Sequence, residues 1–237
     1  MRFPAPLMSG RLLKRYKRFL ADVTLDTGES VTATCPNTGS MMGLCEPGSR
    51  IWVSRSDSAT RKYPHTWELI EAQVFGRSTL VGINTGHPNR IVADAIGRGV
   101  LPGLAGYPSL RREVKYGTAS RVDILLEGDG LPPAYVEVKN VHLLRKEGLA
   151  EFPDCVTERG VKHLGELAKV ARKGGRGVMV YLVQRGDAES FALASDIDKE
   201  YAKAFARARR AGVEAYALAC DVTPDGIFAN RLLSIRE

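Results

Sequence analysis

The chain has 237 residues, 44% of them apolar and 26% charged, with a formal net charge of +7. That is enough apolar material for one large or two small packed cores, and no uninterrupted apolar run approaches the roughly 20 residues a membrane-spanning helix needs. The N-terminal MRFPAPLMSG lacks the apolar centre of a signal peptide, so a cytoplasmic location is expected.

From Gly10 to about Ile83 short strands alternate with turn signals: FLADVTL, DTGE, SVTATC, RIWVSRS, TWELIEAQVF and STLVGI. About five strands in that length suit a small closed barrel, and OB-type and SH3-like barrels would both give this pattern. Two basic clusters interleave with aromatic rings. Lys14, Arg15, Lys17 and Arg18 surround Tyr16, and Arg61, Lys62 and Tyr63 stand beside His65 and Trp67. Phosphate attraction combined with base stacking requires that mixture, so these residues are the candidate nucleic-acid contacts. Through Ile83 there are eleven Lys and Arg against seven Asp and Glu, leaving +4, and the remainder carries +3.

Beyond Asn84 helices alternate with strands. Residues 90–97 read as a helix, and 112–116 as the start of a sheet. Two apolar segments follow, 121–127 (RVDILLE) and 135–141 (YVEVKNV), whose period-two alternation marks β-structure. Glu137 and Lys139 project from one face. The intervening EGDGLPP is turn-rich, and a symmetric hairpin about Gly130 sets Asp123 opposite Glu137. A helix capped by Asp154 or Thr157 runs to about Lys173, with Arg159, His163 and Glu166 on one side. The apolar GVMVYLVQ reads as a central strand, followed by a helix over 199–211 and a last strand over 214–219. A sheet with helices on both faces accounts for this order, so the division expected is a barrel over 1–83 and an α/β domain over 84–237.

Two carboxylates and an ammonium on one patch have a chemical use. Mg²⁺ takes hard oxygen ligands, often one or two carboxylates, and Mn²⁺ is the alternative. Asp123 and Glu137 fit that need, while Lys139 is placed to orient water or steady a phosphate. Against this stands a solvated hairpin whose charges merely face water. Glu113, in REVKYG, is a third candidate metal ligand or an exposed strand-start charge. Thr157, Arg159, His163 and Gln184 are candidates for lining the same cleft, although a helix cap, a wet helix face and a polar strand end explain them as well. The Asn-Thr-Gly segments at 37–39 and 84–86 read as turns. Cys35, Cys45, Cys155 and Cys220 have no CxxC spacing and read as reduced thiols. No GxxxxGK or GxGxxG loop is present, which argues against a nucleotide cofactor.

At Asp123 and Glu137-Val138-Lys139 the chain resembles the PD-(D/E)xK nuclease superfamily. KRYKRFLADV (14–23), CPNTGSM, RKYPHTWEL, EVKYG, VEVKNV and FPDCVTERGVKHLGEL together resemble the sugar fermentation stimulation protein family, from about Leu12 to beyond Tyr201. That resemblance implies an OB-fold-like barrel followed by a nuclease-like α/β domain, non-specific DNA binding, and a role in sugar, particularly maltose, metabolism. The expected partner is therefore nucleic acid, DNA foremost, with no membrane. An exposed edge strand in either domain would also allow two copies to pair.

Overall fold

The computed structural model describes residues 1–116 and 120–236. Gly117 of the EVKYG motif lies outside the described residues. The N-terminal half is built from β1 (Met8–Tyr16), β2 (Leu20–Leu25), β3 (Ser30–Thr34), β4 (Arg50–Arg55) and β5 (His65–Val74). β1 pairs antiparallel with both β2 and β4, β2 with β3, and β4 with β5. A parallel pairing of β3 with β5, through Ala33–His65 and Thr34–Thr66, closes the barrel. This five-stranded closure is the OB arrangement rather than an SH3-like one. β6 (Arg77–Gly82) extends β5 outside the barrel.

Leu12, Val23, Ile51, Val53, Trp67 and Ile70 fill the interior. The Trp67 indole nitrogen donates to the Leu69 carbonyl at 2.9 Å, so its one polar group is satisfied. Strands β1 and β2 approach so closely that a Cβ at Gly10 would stand 2.5 Å from the Thr24 carbonyl oxygen. β1 itself is not evident in the sequence, because along it only Gly10 and Leu12 are buried and Lys14 faces water, which leaves too short an alternation to recognise.

Among the described residues the C-terminal half carries nine strands: β7 (Ser109–Tyr116), β8 (Ser120–Gly128), β9 (Leu131–Val141), β10 (Leu143–Lys146), β11 (Leu149–Phe152), β12 (Arg176–Val183), β13 (Ser190–Leu193), β14 (Glu214–Thr223) and β15 (Gly226–Arg236). They form one sheet in the order β10-β11-β13-β15-β14-β12-β9-β8-β7. β12, the GVMVYLVQ segment, is parallel to both of its neighbours and buried along nearly its whole length. Helix α1 (Pro88–Gly97) packs on one face. Helices α2 (Glu158–Arg172) and α3 (Lys199–Arg210) pack on the other.

Each helix starts where local chemistry dictates. Pro88 opens α1, Thr157 Oγ1 accepts from Gly160 N to cap α2, and Asp198 Oδ1 accepts from Tyr201 N to cap α3. The strand expected over 214–219 continues to Thr223 and is answered by an antiparallel β15. Strands β10, β11 and β13 have four residues each, below the length at which alternation carries information.

The halves meet along a main-chain seam. Gly82 N donates to Gln184 O at 2.9 Å, and Val81 bridges Arg185. Leu69 and Trp52 of the barrel join the apolar layer of Ile91, Val92 and Leu182 on the α1 face. Cys35, Cys45, Cys155 and Cys220 are free thiols. Among the described residues no helix is long and apolar enough to cross a membrane.

Candidate metal centre and nucleic-acid interface

β8 and β9 pair through Ile124–Val136, so Asp123 and Glu137 stand level one step further along, as the hairpin pattern anticipates. Asp123 Oδ2 accepts from Val138 N at 2.8 Å, and its Oδ1 accepts from the Asn89 amide at 3.0 Å. The same Asn89 nitrogen donates to Glu113 Oε1. One amide therefore holds two carboxylates from β7 and β8. Glu113 itself has a φ of 55°, a left-handed backbone that turns an exposed residue of β7.

Glu137 is 4% exposed and accepts from Lys139 Nζ at 2.7 Å. His163, on α2, brings Nδ1 onto the same Glu137 oxygen and lies 3.1 Å from Lys139 Nζ. Arg159 Nε donates to His163 Nε2 at 3.3 Å, which assigns the ring proton to Nδ1 and its donation to Glu137. Burial and the neighbouring Glu137 charge push the Asp123 carboxyl up, against the Val138 amide, Asn89 and Lys139. Burial alone would also raise Glu137, but the His163 bond and the Lys139 cation outweigh it and hold that carboxyl below its ordinary value. Two adjacent carboxylates are thus pushed in opposite directions.

The donor set suits a hard divalent cation. Two mostly buried carboxylates close together repel each other, and a cation between them relieves that repulsion with the oxygen ligands it prefers. Asp123 and Glu137 would hold it, and Glu113, which shares the Asn89 amide with Asp123, is a further candidate oxygen donor. Among the described residues no three His, Cys, Asp or Glu side chains are gathered closely enough to form a ready-made site. The geometry therefore offers a two-carboxylate grip completed by other oxygens rather than a full protein cage.

The other candidates separate in space. His163 reaches Glu137, and Arg159 reaches only His163. Thr157 is a helix cap, its N–H donating to Asp198 Oδ2 at 2.8 Å. Gln184 lies fully buried at the seam, where its amide donates to Asn140 Oδ1 at 2.7 Å and Oε1 has no partner. Its neighbours are Asn84 and Gly82, not Asp123 or Glu137.

On the barrel, Arg15 is committed to structure: Nη2 donates to the carbonyls of Arg18, Asn37 and Gly39 at 2.9–3.0 Å. Lys14 pairs with Asp22 at 3.5 Å and lies over the Tyr16 ring. Lys17 and Arg18 are exposed in the β1–β2 turn, both at positive φ. In the β4–β5 loop, Arg61 donates to Thr66 and Thr34, and Lys62 lies over Tyr63. Cys35 N donates to Phe19 O, so the β1–β2 turn and Arg61 both meet the end of β3. Phe19 is 49% exposed beside Lys17 and Arg18, a ring hidden from sequence reading because its position suggests the first core residue of β2. This end of the barrel approaches the α2 entry loop. Met41 N donates to Asp154 Oδ2, and Arg18 lies near enough to Cys155 to oppose part of the rise that burial gives that thiol.

Asn89 is the site residue that sequence reasoning missed. Its signal was the INTGHPN segment, whose turn is held from below by Glu68 of β5. That buried carboxylate accepts from Ser54 Oγ, Asn84 Nδ2 and His87 Nε2 at 2.6, 2.7 and 2.8 Å. The other Asn-Thr-Gly turn is fixed by its own Asn37 side chain, whose Oδ1 accepts from Gly39 N.

An OB-type barrel joined to a mixed-sheet α/β domain, with an acidic pair and ExK on adjacent strands, defines a two-domain protein of PD-(D/E)xK nuclease-like build. Residues 13–83 match the SfsA N-terminal OB domain, and residues 86–226 match the sugar fermentation stimulation protein RE domain. The chain belongs to the sugar fermentation stimulation protein family. The sugar fermentation stimulation protein homologs of Brucella ovis and of Brucella melitensis biotype 1 are each 56% identical over 237 residues, covering 100% of this chain and 98% of the relative. The solved structure of Pyrococcus furiosus SfsA in complex with Ca²⁺ is 27% identical, with a TM-score of 0.87 over 100% of this chain and 98% of that one.

Proposed function

We propose that this protein binds nucleic acid, DNA foremost, and hydrolyses phosphodiester bonds with a divalent cation, Mg²⁺ or Mn²⁺, held by Asp123 and Glu137. The observation that carries the reading is the pair of carboxylates on adjacent strands with Lys139 on the same patch. The solved Ca²⁺ complex of the Pyrococcus furiosus relative supports a divalent cation here. When bound, the cation supplies Lewis acidity toward the phosphodiester and lowers the pKa of water beside it. Asn89 fixes Asp123 and Glu113 in place. Lys139, freed from Glu137, orients the attacking water or offsets phosphate charge. His163, held by Arg159, keeps Glu137 ionised and aimed. Lys17, Arg18, Arg61 and Lys62, with Phe19 and Tyr63, contact backbone and bases at the barrel end. The protein acts in the cytoplasm on this reading.

The test is incubation with end-labelled single- and double-stranded DNA and RNA in Mg²⁺, Mn²⁺ or EDTA. Cleavage that needs the metal and vanishes in Asp123→Ala and Lys139→Ala, with binding retained, is expected. Cleavage that survives Asp123→Ala would overturn the assignment. A second reading, a non-catalytic DNA-binding regulator of sugar and maltose metabolism, is favoured by one observation: Lys139 and His163 already close the Glu137 oxygen. Salt-sensitive binding without cleavage under any metal would establish it.

A further inference from the structure

We propose that helices α2 and α3 form a second nucleic-acid contact surface, which takes the phosphate backbone of duplex DNA and is separate from the barrel end. Residues 158–173 contain five Lys and Arg against two Glu, and Lys199–Arg210 contain five against one. Together they carry +7, which equals the formal charge of the entire chain. The rest of the molecule is balanced. Counting charge by halves of the sequence hides this, because the remainder of the C-terminal half is net acidic.

The fold concentrates that charge. The apolar faces of both helices are buried against the sheet through Leu164, Leu167, Tyr201 and Phe205, so the cations are left on the outer side. Lys162, Arg172, Lys173, Lys199, Arg207 and Arg210 are exposed and form no ion pair among the described residues. A groove of about 320 Å³ runs between the helices on a floor of Ala168, Ala204 and Ala208, with Arg172 and Arg207 on its walls.

The chemistry of this face selects its occupant. Both aromatic residues of α3 are buried and α2 has none besides His163, so there is no platform for stacking unpaired bases. No bulky apolar side chain is exposed on either helix, as insertion into a lipid surface would require. Unpaired cations on small residues need only a regular row of phosphates, which a duplex supplies. α2 has 15 residues, or about 22 Å at 1.5 Å per residue, comparable to about six base pairs. Its first turns carry His163, which meets Glu137, and Arg159, which donates to His163, so the row of cations begins beside the candidate cleavage site. The barrel packs on the α1 face of the sheet through Trp52 and Leu69 and nears α2 at its entry loop, while this groove opens between α2 and α3.

The inference rests on the nucleic-acid-binding reading, and the experiment separates the two. Fluorescence anisotropy of a labelled 30-base-pair duplex, titrated in EDTA across a salt series, is compared for four proteins. These are the wild type, Lys162→Gln/Arg172→Gln/Arg207→Gln, the barrel variant Arg18→Gln/Lys62→Gln, and a charge-matched control, Arg2→Gln/Arg77→Gln/Lys146→Gln. Circular dichroism confirms that each is folded. The helix variant is expected to lower the slope of log K against log[salt] by about 2–3, near 0.9 per lost phosphate contact, and to weaken binding at least tenfold, with the control near wild type. Binding that weakens in the barrel variant but is unchanged in the helix variant overturns this inference and leaves the nucleic-acid reading standing. Equal weakening in the helix variant and the control also overturns it, because only net charge would then matter. No binding by the wild type overturns both.

Discussion

Replacing Glu68 with alanine is expected to destabilise the protein by about 3–4 kcal/mol. The carboxylate is 4% exposed and accepts three hydrogen bonds, from Ser54, Asn84 and His87. Hydrogen bonds to a charged group contribute roughly 1.5–3 kcal/mol each, and removing the carboxylate recovers several kcal/mol of desolvation, so the net falls in the 3–5 kcal/mol range of a broken buried pair, toward its lower end. For a chain of this size the melting temperature should drop by roughly 10 °C. Urea denaturation followed by tryptophan fluorescence reads the change, because Trp67 adjoins the site in sequence. Glu68→Gln, which keeps the shape and removes the charge, should cost roughly 1–2 kcal/mol. The sign with pH follows from the depressed carboxyl: burial works against ionisation, but the His87 and Ser54 bonds hold the folded pKa below 4.5. Its stabilisation is therefore complete above about pH 4.5 and is lost as the pH falls through the lower folded value. The gap between wild type and Glu68→Gln should be constant from pH 8 to 5 and shrink below. A loss under about 1 kcal/mol for Glu68→Ala, or a gap that widens in acid, would refute the reasoning.

Isothermal titration with Mn²⁺ should show binding that Asp123→Asn reduces at least tenfold, and Asn89→Ala should weaken it less, since that residue only orients Asp123 and Glu113. Tyr181→Phe alone should cost about 1–3 kcal/mol in thermal or urea unfolding, because it orphans the buried Tyr201 hydroxyl 2.8 Å away, whereas the double change to phenylalanine should cost less than the two single losses added. Gly177→Ala places a Cβ 2.5 Å from the Leu167 carbonyl, so α2 must shift off β12, and a loss of roughly 1–3 kcal/mol is expected by urea denaturation.

Much of the site was legible because its chemistry lies within one hairpin. Asp123, Glu137 and Lys139 come together through a turn and a period-two pattern, both local features. Asn89 is 34 residues from its Asp123 partner and Glu68 is 19 from His87, and no local periodicity reports such distances. His163 was legible as a polar helix position, but its contact with Glu137 depends on how α2 lies across β9. Arg15 misleads in the opposite direction. Among the cations of the KRYKR run it is the one whose guanidinium is drawn into carbonyls of the 37–39 turn, and composition cannot distinguish a cation that meets a carbonyl from one that meets a phosphate. Gln184 follows a buried strand toward one sheet edge, yet the barrel's Gly82 meets it there and makes it part of the junction.

The main-chain seam between the two halves leaves little room for a hinge. Gly82 and Ile83 are bonded to Gln184 and Glu68, Gly86 to Asn84, and Thr85 to Pro36, so the passage from barrel to α1 is tied at nearly every step. These ties favour a set separation between the barrel end and the acidic pair. In the function proposed, a grip and a cutting point joined in this way act as a ruler: the length of polymer between them is set by the fold and not by the ligand, and fragments released from a long substrate should show a minimum size rather than a continuous distribution.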